Sequence, residues 1–388
     1  MAGSSKAQSG EQQPDSAPAE RRDTSMAVPV GGDSRSISAT EDPPSGAEPQ
    51  ELSRYGLRST YLTLSSRPLG LYEIPYHPDF GPEEQTRTRY PELLPFLKRI
   101  LEEGKALDIT REDTGWKETG THTFNSKSIA RGISVSQIAK KDDDRNEVWA
   151  GRLSIHDESE EQGDRVGKVT WETLDSILRD EHSKQEAEYT PNVYDHTILL
   201  RWPSDGPDGL KDLEQDLGFK NLGLWIVNMY HGIPFPLKDR IFSILVAVGV
   251  RTDLSSIPEE RNGGKVQDEF VVVQLPIAIT SLPDIVKNRS HHRVPGSPSY
   301  QRDPERADAK QKQKLGKALV YGEYVSVEKV ARVRKGEKTE NHWAMATMSD
   351  AKGVLPLWVQ RKAVPGEIVK DVEYVLKYIA EGKGVRGS

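Results

Sequence analysis

The chain has 388 residues, 35% of them hydrophobic and 29% charged, with a mean hydropathy of −0.66 and a formal net charge of −7. It contains no cysteine, which excludes a disulfide framework, a thiolate metal site and a cysteine nucleophile, and fits a reducing compartment. The composition is too polar to be all core, and the longest apolar run, Ile241–Val250, is far short of the ~20 residues of a membrane span.

Residues 1–54 are expected to form a disordered acidic tail. Through residue 50 they hold four basic against eight acidic residues and no aromatic, too little apolar surface to offset the entropy of ordering. No apolar signal segment opens the chain, and Ala2 excludes myristoylation. A soluble, cytoplasmic protein is expected.

From 55 to 384 the pattern is that of one domain. Pro91–Gly104 reads as a helix with Leu93, Leu97, Ile100 and Leu101 on one face. Residues 119–139 alternate as one or two strands and Val148–His156 as another, with a solvated loop at Lys140–Asn146. Thr170 predicts the N-cap of a helix running to about Glu188. Strands are expected at Asp195–Trp202, Gly223–His231, Asp239–Thr252 and Gln267–Pro276. Between 282 and 317 the pattern collapses, predicting a disordered insertion. Ala318–Val333 and His342–Met348 then read as a hairpin, implying an antiparallel sheet. A turn at Ser349–Gly353 and a connector ending in Pro356 lead to a terminal helix from about Val364 to Gly382, with Pro365 near its start. Ile368, Val369, Val372, Val375, Leu376 and Ile379 form one apolar stripe on it. The fold class is α+β.

Four stretches resemble a known family: Trp149–His156, Asp180–Thr190, Pro236–Phe242, and Gly322–Glu328 with Trp343–Gly353. They are similar to a fungal domain-of-unknown-function family with a START-like fold, the StAR-related lipid-transfer type within the Bet v 1-like helix-grip superfamily. The resemblance spans about Leu94 to Ile379 and implies a curved antiparallel sheet gripping a long C-terminal helix around an apolar cavity. It implies no assigned activity. Pro236–Phe242 also resembles the Pro-x-x-x-Arg-Asp-Phe run of lipid-transfer START domains, with Ile241 where that run has Asp.

A cavity for an apolar molecule needs apolar walls and one or two polar anchors. The candidate walls are Trp225, Met229, Phe242, Trp343, Met345, Trp358, Val372 and Leu376, with Val227, Leu245 and Val272; the plainer reading is that they fill a solid core. Arg240 is the favoured anchor, because a charge in an apolar strand must be paired or face a cavity, and its alternative is an ion pair with Glu323 or Glu328. Arg152 carries the same two readings. His182 and Glu186, at i and i+4, could ligate a metal but have no third ligand nearby, so a solvated helix face is the expectation. His291-His292 falls in the insertion and reads as incidental.

Lys310, Lys312, Lys314 and Lys317 could touch a membrane surface transiently. Acidic neighbours and the lack of interleaved aromatics argue against nucleic acid.

No phosphate-binding loop or nucleophile elbow occurs. The expectation is a monomeric, non-enzymatic carrier of a lipid or other hydrophobic small molecule, with no cofactor and no metal, whose ligand enters near Ser349–Pro356. One alternative is a cyclase- or hydratase-like enzyme acting on a polyketide-type metabolite. It would draw on His156, His231, Asp350 and Tyr324. An adaptor that docks partners through its disordered segments is the third reading.

Overall fold

β7 (Lys265–Pro276) carries the run Phe270-Val-Val-Val-Gln-Leu275, apolar at nearly every position. Side chains alternate across a strand, so such a run needs cover on both faces of its sheet. Val271, Val273 and Leu275 enter one apolar cluster, Phe270 and Val272 another. The computed structural model describes residues 67–81, 87–109, 114–142, 147–161, 166–206, 209–234, 236–257, 263–292, 319–350, 352 and 357–383. All lie in one compact unit, Arg58–Ser388. The expected tail at 1–54 and the Lys310–Lys317 cluster lie outside the described residues.

The other described strands are β1 (Lys117–Thr123), β2 (Ser134–Asp142), β3 (Glu147–Asp157), β4 (Val193–Arg201), β5 (Phe219–His231), β6 (Arg240–Arg251), β8 (Val320–Lys335) and β9 (Lys338–Asp350). They form one sheet ordered β1-β2-β3-β9-β8-β7-β6-β5-β4, antiparallel between neighbours. A short parallel pairing of Arg240–Phe242 with Val320–Gly322 also joins β6 to β8. The β8–β9 hairpin turns at Gly336, whose φ of 62° is the positive value a two-residue hairpin assigns to glycine.

On one face lies α1 (Leu93–Ala106), burying Phe96, Leu97, Ile100 and Leu101. The other face carries α2 (Trp171–Leu178), α3 (His182–Tyr189) and the terminal helix α6 (Leu357–Ala380); α4 (Glu214–Leu217) and α5 (Asp284–Lys287) are single turns. Val369, Val372, Val375 and Leu376 of α6 pack with Trp225, Val227, Ile244 and Trp343 of the sheet. Each such side chain, fully buried, is worth about 1.5–3 kcal/mol. This is the α+β sheet-and-helix class expected from the sequence.

Three expectations change. The helix from Thr170 is two helices: Thr170 Oγ1 accepts from the Thr173 amide as expected, but Glu181 takes a left-handed φ of 50° and breaks the run. The terminal helix begins at Leu357, so Pro365 stands inside it, with its carbonyl taken by Gln137 Nε2 at 3.2 Å. Residues 282–292 are built into the fold, with Leu282, Val286, Ser290 and His292 buried. His292 Nε2 donates to buried Asp195 at 2.8 Å, so this histidine is a structural partner and not incidental. Burial on the sheet, invisible to a local pattern, is the reason.

α1 approaches the sheet at Gly104, where an added Cβ would lie 2.6 Å from Val273 Cγ2 and 2.8 Å from Val271 Cγ1. Gly104→Val is therefore expected to destabilise the fold by about 2 kcal/mol or more through overpacking. An unchanged urea midpoint would show that α1 does not press on β7 there.

Candidate functional site

Three strands place one row of side chains on the α6 face. Arg152 of β3 opposes Met345 of β9, and Met345 opposes Glu328 of β8. Arg152 is wholly buried and reaches along the row, its Nη2 donating to Glu328 Oε1 at 3.3 Å. Its guanidinium lies 4.0 Å from the centre of the Trp343 ring, and Trp343 Nε1 donates to the same Glu328 oxygen at 2.6 Å. Cation, carboxylate and indole form one unit, the condition for holding a charge in an apolar layer. Arg152 Nε and Nη1 have no hydrogen-bond partner.

On one side of this row the layer is solid, with Val330, Trp343 and Phe270 in the core. On the other, β8 continues with Ser326 and Tyr324 and β9 with Thr347 and Ser349, and the shorter side chains leave a cavity of about 490 Å³. Its roof is a strip of α6, Val364, Glu367, Ile368, Asp371 and Tyr374, one helical face at i, i+3, i+4, i+7 and i+10. α3 contributes His182, Glu186 and Tyr189, and β5–β6 contribute His231 and Phe242. The Phe242 ring lies edge-on to His231 at 4.9 Å and to Tyr324 at 5.2 Å between centroids. His231 Nε2, Tyr324 OH and Glu186 Oε2 are shut off from solvent without a hydrogen-bond partner.

The titration of this wall follows from burial. Desolvation pushes the Glu186 carboxyl up to about 8, helped by the charges of Asp371 and Glu328. It pushes Asp371 up to about 7, with Arg152 pulling the other way. Desolvation holds the His231 imidazole down to about 4 and also lowers His182. His182 Nδ1 donates to the Leu178 carbonyl at the end of α2, leaving Nε2 as the acceptor for the Gln274 side-chain amide. Glu186 Oε2 stands 3.6 Å from that nitrogen. Among the described residues no cluster of three or more His, Asp or Glu side chains could hold a metal ion.

The structure divides the expected site residues. Arg152, Phe242, Tyr324 and Met345 line the cavity. Trp225, Met229, Trp343, Val372 and Leu376 are buried in the apolar layer and do not line it. Trp225 instead lies under α3, its Nε1 donating to Ser183 Oγ at 3.0 Å. Arg240, the favoured anchor, does not reach the cavity either. Its guanidinium donates to the carbonyls of Lys238 and Lys352, while Glu323 pairs with Lys352 and Glu328 with Arg152. The side chain of Trp358, and residues 351 and 353–356 of the expected gate, lie outside the described residues. Sequence reasoning missed Asp371, Gln274, Ser326 and Thr347. Asp371 carried a signal, a carboxylate set between Ile368 and Val372 on the apolar side of the helix.

An antiparallel sheet that holds a long C-terminal helix across one face, with a cavity between them, makes this an α+β protein of the sheet-and-helix class. The chain belongs to the family described as protein of unknown function (DUF3074), which matches residues 149–379. No curated protein matches it. Among solved structures it is similar to human STARD10, at 14% identity and a TM-score of 0.41 over 78% of this chain and 84% of that one. It is also similar to the human StarD13 (DLC2) lipid transfer and protein localization domain, at 12% identity and a TM-score of 0.35 over 72% and 92%. A third is the STAR-related lipid transfer protein of Xanthomonas axonopodis, at 9% identity and a TM-score of 0.34 over 68% and 98%.

Arg152→Met strands the Glu328 carboxylate and is expected to cost about 3–5 kcal/mol in chemical denaturation, with Arg152→Met/Glu328→Gln recovering part of the loss. Equal loss in both variants would mean the ion pair is not what matters.

Glu186 and Asp371 hold protons in the folded state that the unfolded chain has released, so their contribution is complete below the unfolded values of 4.5 and 3.8 and is lost as pH rises from there through about 8 and about 7. His231 acts in the opposite sense: its contribution is present above 6.5 and is lost as pH falls toward about 4. The thermal midpoint should fall between about pH 6.5 and 8, and Glu186→Gln/Asp371→Asn should flatten that limb. An alkaline limb identical in the variant would refute the assignment.

Proposed function

We propose that the protein binds a lipid or other hydrophobic small molecule in the cavity beneath α6 and does not convert it chemically. The observation that carries this reading is the cavity of about 490 Å³, in which apolar Phe242, Met345, Val364 and Ile368 adjoin unpaired polar groups. Ligand sites are of this size and mixture. Arg152 replaces Arg240 as the anchor in this proposal. We further place the protein in the cytoplasm as a monomer that touches membranes only transiently. The cysteine-free sequence is in keeping with that compartment.

Val364→Trp fills the cavity from its roof. A neutral, polarity-sensitive fluorophore is expected to bind the wild-type protein at one site, and the variant at least about tenfold more weakly with its near-ultraviolet circular dichroism retained. Unchanged affinity in the folded variant would place binding elsewhere.

A second reading, a cyclase- or hydratase-like reaction, draws on His231 and Tyr324 standing unpaired on either side of Phe242. Burial keeps the imidazole neutral but lowers its basicity, so in this reading a bound substrate must raise it. His231→Ala lowering turnover of a polyketide-type substrate at unchanged binding would favour it.

A further inference from the structure

The cavity is unbalanced in charge. Glu186 of α3, Glu328 of β8, and Glu367 and Asp371 of α6 all line it, against the single permanent cation Arg152 of β3. Arg152 is engaged by Glu328, and Glu367 by Lys370 at 2.7 Å on the outer side of the helix. His182 and His231, the two imidazoles of the wall, are both held toward the neutral form by desolvation. That leaves Glu186 and Asp371, set on two different helices, without a lysine or arginine in ion-pair contact among the described residues, Asp371 sensing only the field of Arg152. Tyr189, Tyr324 and Tyr374 complete the ionisable wall and bring no positive charge.

We propose that the cavity selects ligands carrying a protonated amine, with the ammonium group held between Glu186 and Asp371 and the apolar body against Phe242, Met345 and Ile368. This rests on the binding function proposed above and names the chemistry of that site. Two further features point to a ligand of this kind. Glu186 Oε2 is an acceptor shut off from solvent with no donor, and an ammonium N–H supplies one. Arg152, wholly buried in the same wall, has Nε and Nη1 without acceptors, and an oxygen next to the amine would meet them. An anionic headgroup would face four carboxyl groups against one guanidinium whose Nη2 already serves Glu328, so fatty acids are disfavoured. In the ligand-free protein burial raises both carboxyls, Glu186 to about 8 and Asp371 to about 7, so at neutral pH the pair still holds protons; the amine replaces them, and they go to solvent.

The test is displacement of the neutral fluorophore from the full-length protein by dodecylamine, dodecanol and dodecanoate at neutral pH. The amine is expected to bind about tenfold or more tighter than the alcohol, with the acid weakest. Glu186→Gln/Asp371→Asn should abolish the amine's advantage over dodecanol, and comparing two ligands of one variant also controls for the overall negative charge of the chain. Calorimetry of the wild-type protein in buffers of different ionisation enthalpy should show proton release with the amine and none with the alcohol, a readout that survives if the variant misfolds. Alcohol or acid binding as tightly as the amine, or amine binding without proton release, overturns the selection and leaves the cavity reading intact. Failure of all three to displace the dye overturns both.

Discussion

The structure turns on one buried ion pair. Arg152 is wholly buried, and a guanidinium in that position is tolerated only if its charge is answered in place. Glu328 answers it from two strands away, and Trp343 contacts both by covering the cation and donating to the carboxylate. This row crosses β3, β9 and β8 and divides the helix-covered face of the sheet in two. Val330 and Trp343 lie on its solid side, Ser326 and Thr347 on its hollow side. With an apolar pair in place of Arg152 and Glu328, close packing could have continued along both strands.

α6 follows the same division. Val369, Val372 and Val375 pack into the core, whereas Val364, Ile368 and Asp371 roof the cavity. One helix therefore closes the core and bounds the ligand space, so side chains that set stability and side chains that face a ligand alternate along its length. α3 reaches the cavity because the chain breaks at Glu181, where a left-handed residue lets His182 turn back to bond the Leu178 carbonyl and meet Gln274. A continuous helix from Thr170 would have carried Glu186 round to a different face.

Much of the fold was legible in the sequence. Strand-like runs, alternating in β3 and continuously apolar in β6 and β7, located β3 through β9, and an apolar stripe located α6. The cavity was less legible, for a physical reason. Apolar residues such as Trp225 and Leu376 mark burial, and burial in a solid core has the same pattern as the wall of a cavity. The hollow is made instead by short polar residues on every second position of β8 and β9, Ser326, Thr347 and Ser349, whose significance depends on register. Register also decided between the arginines. Arg240 begins β6 and meets backbone carbonyls, while Arg152 lies within β3 opposite Met345 and in reach of Glu328. No local pattern contained that pairing, because its members are separated by 176 positions in the chain.

The central claim is that the space under α6 is an occupied site. Native mass spectrometry of the full-length protein, with organic extraction of whatever co-purifies, tests it most directly. The account predicts one small hydrophobic molecule per chain, lost when Val364→Trp fills the roof. An unliganded mass that persists after incubation with a mixed lipid extract, in protein that is folded, would contradict it.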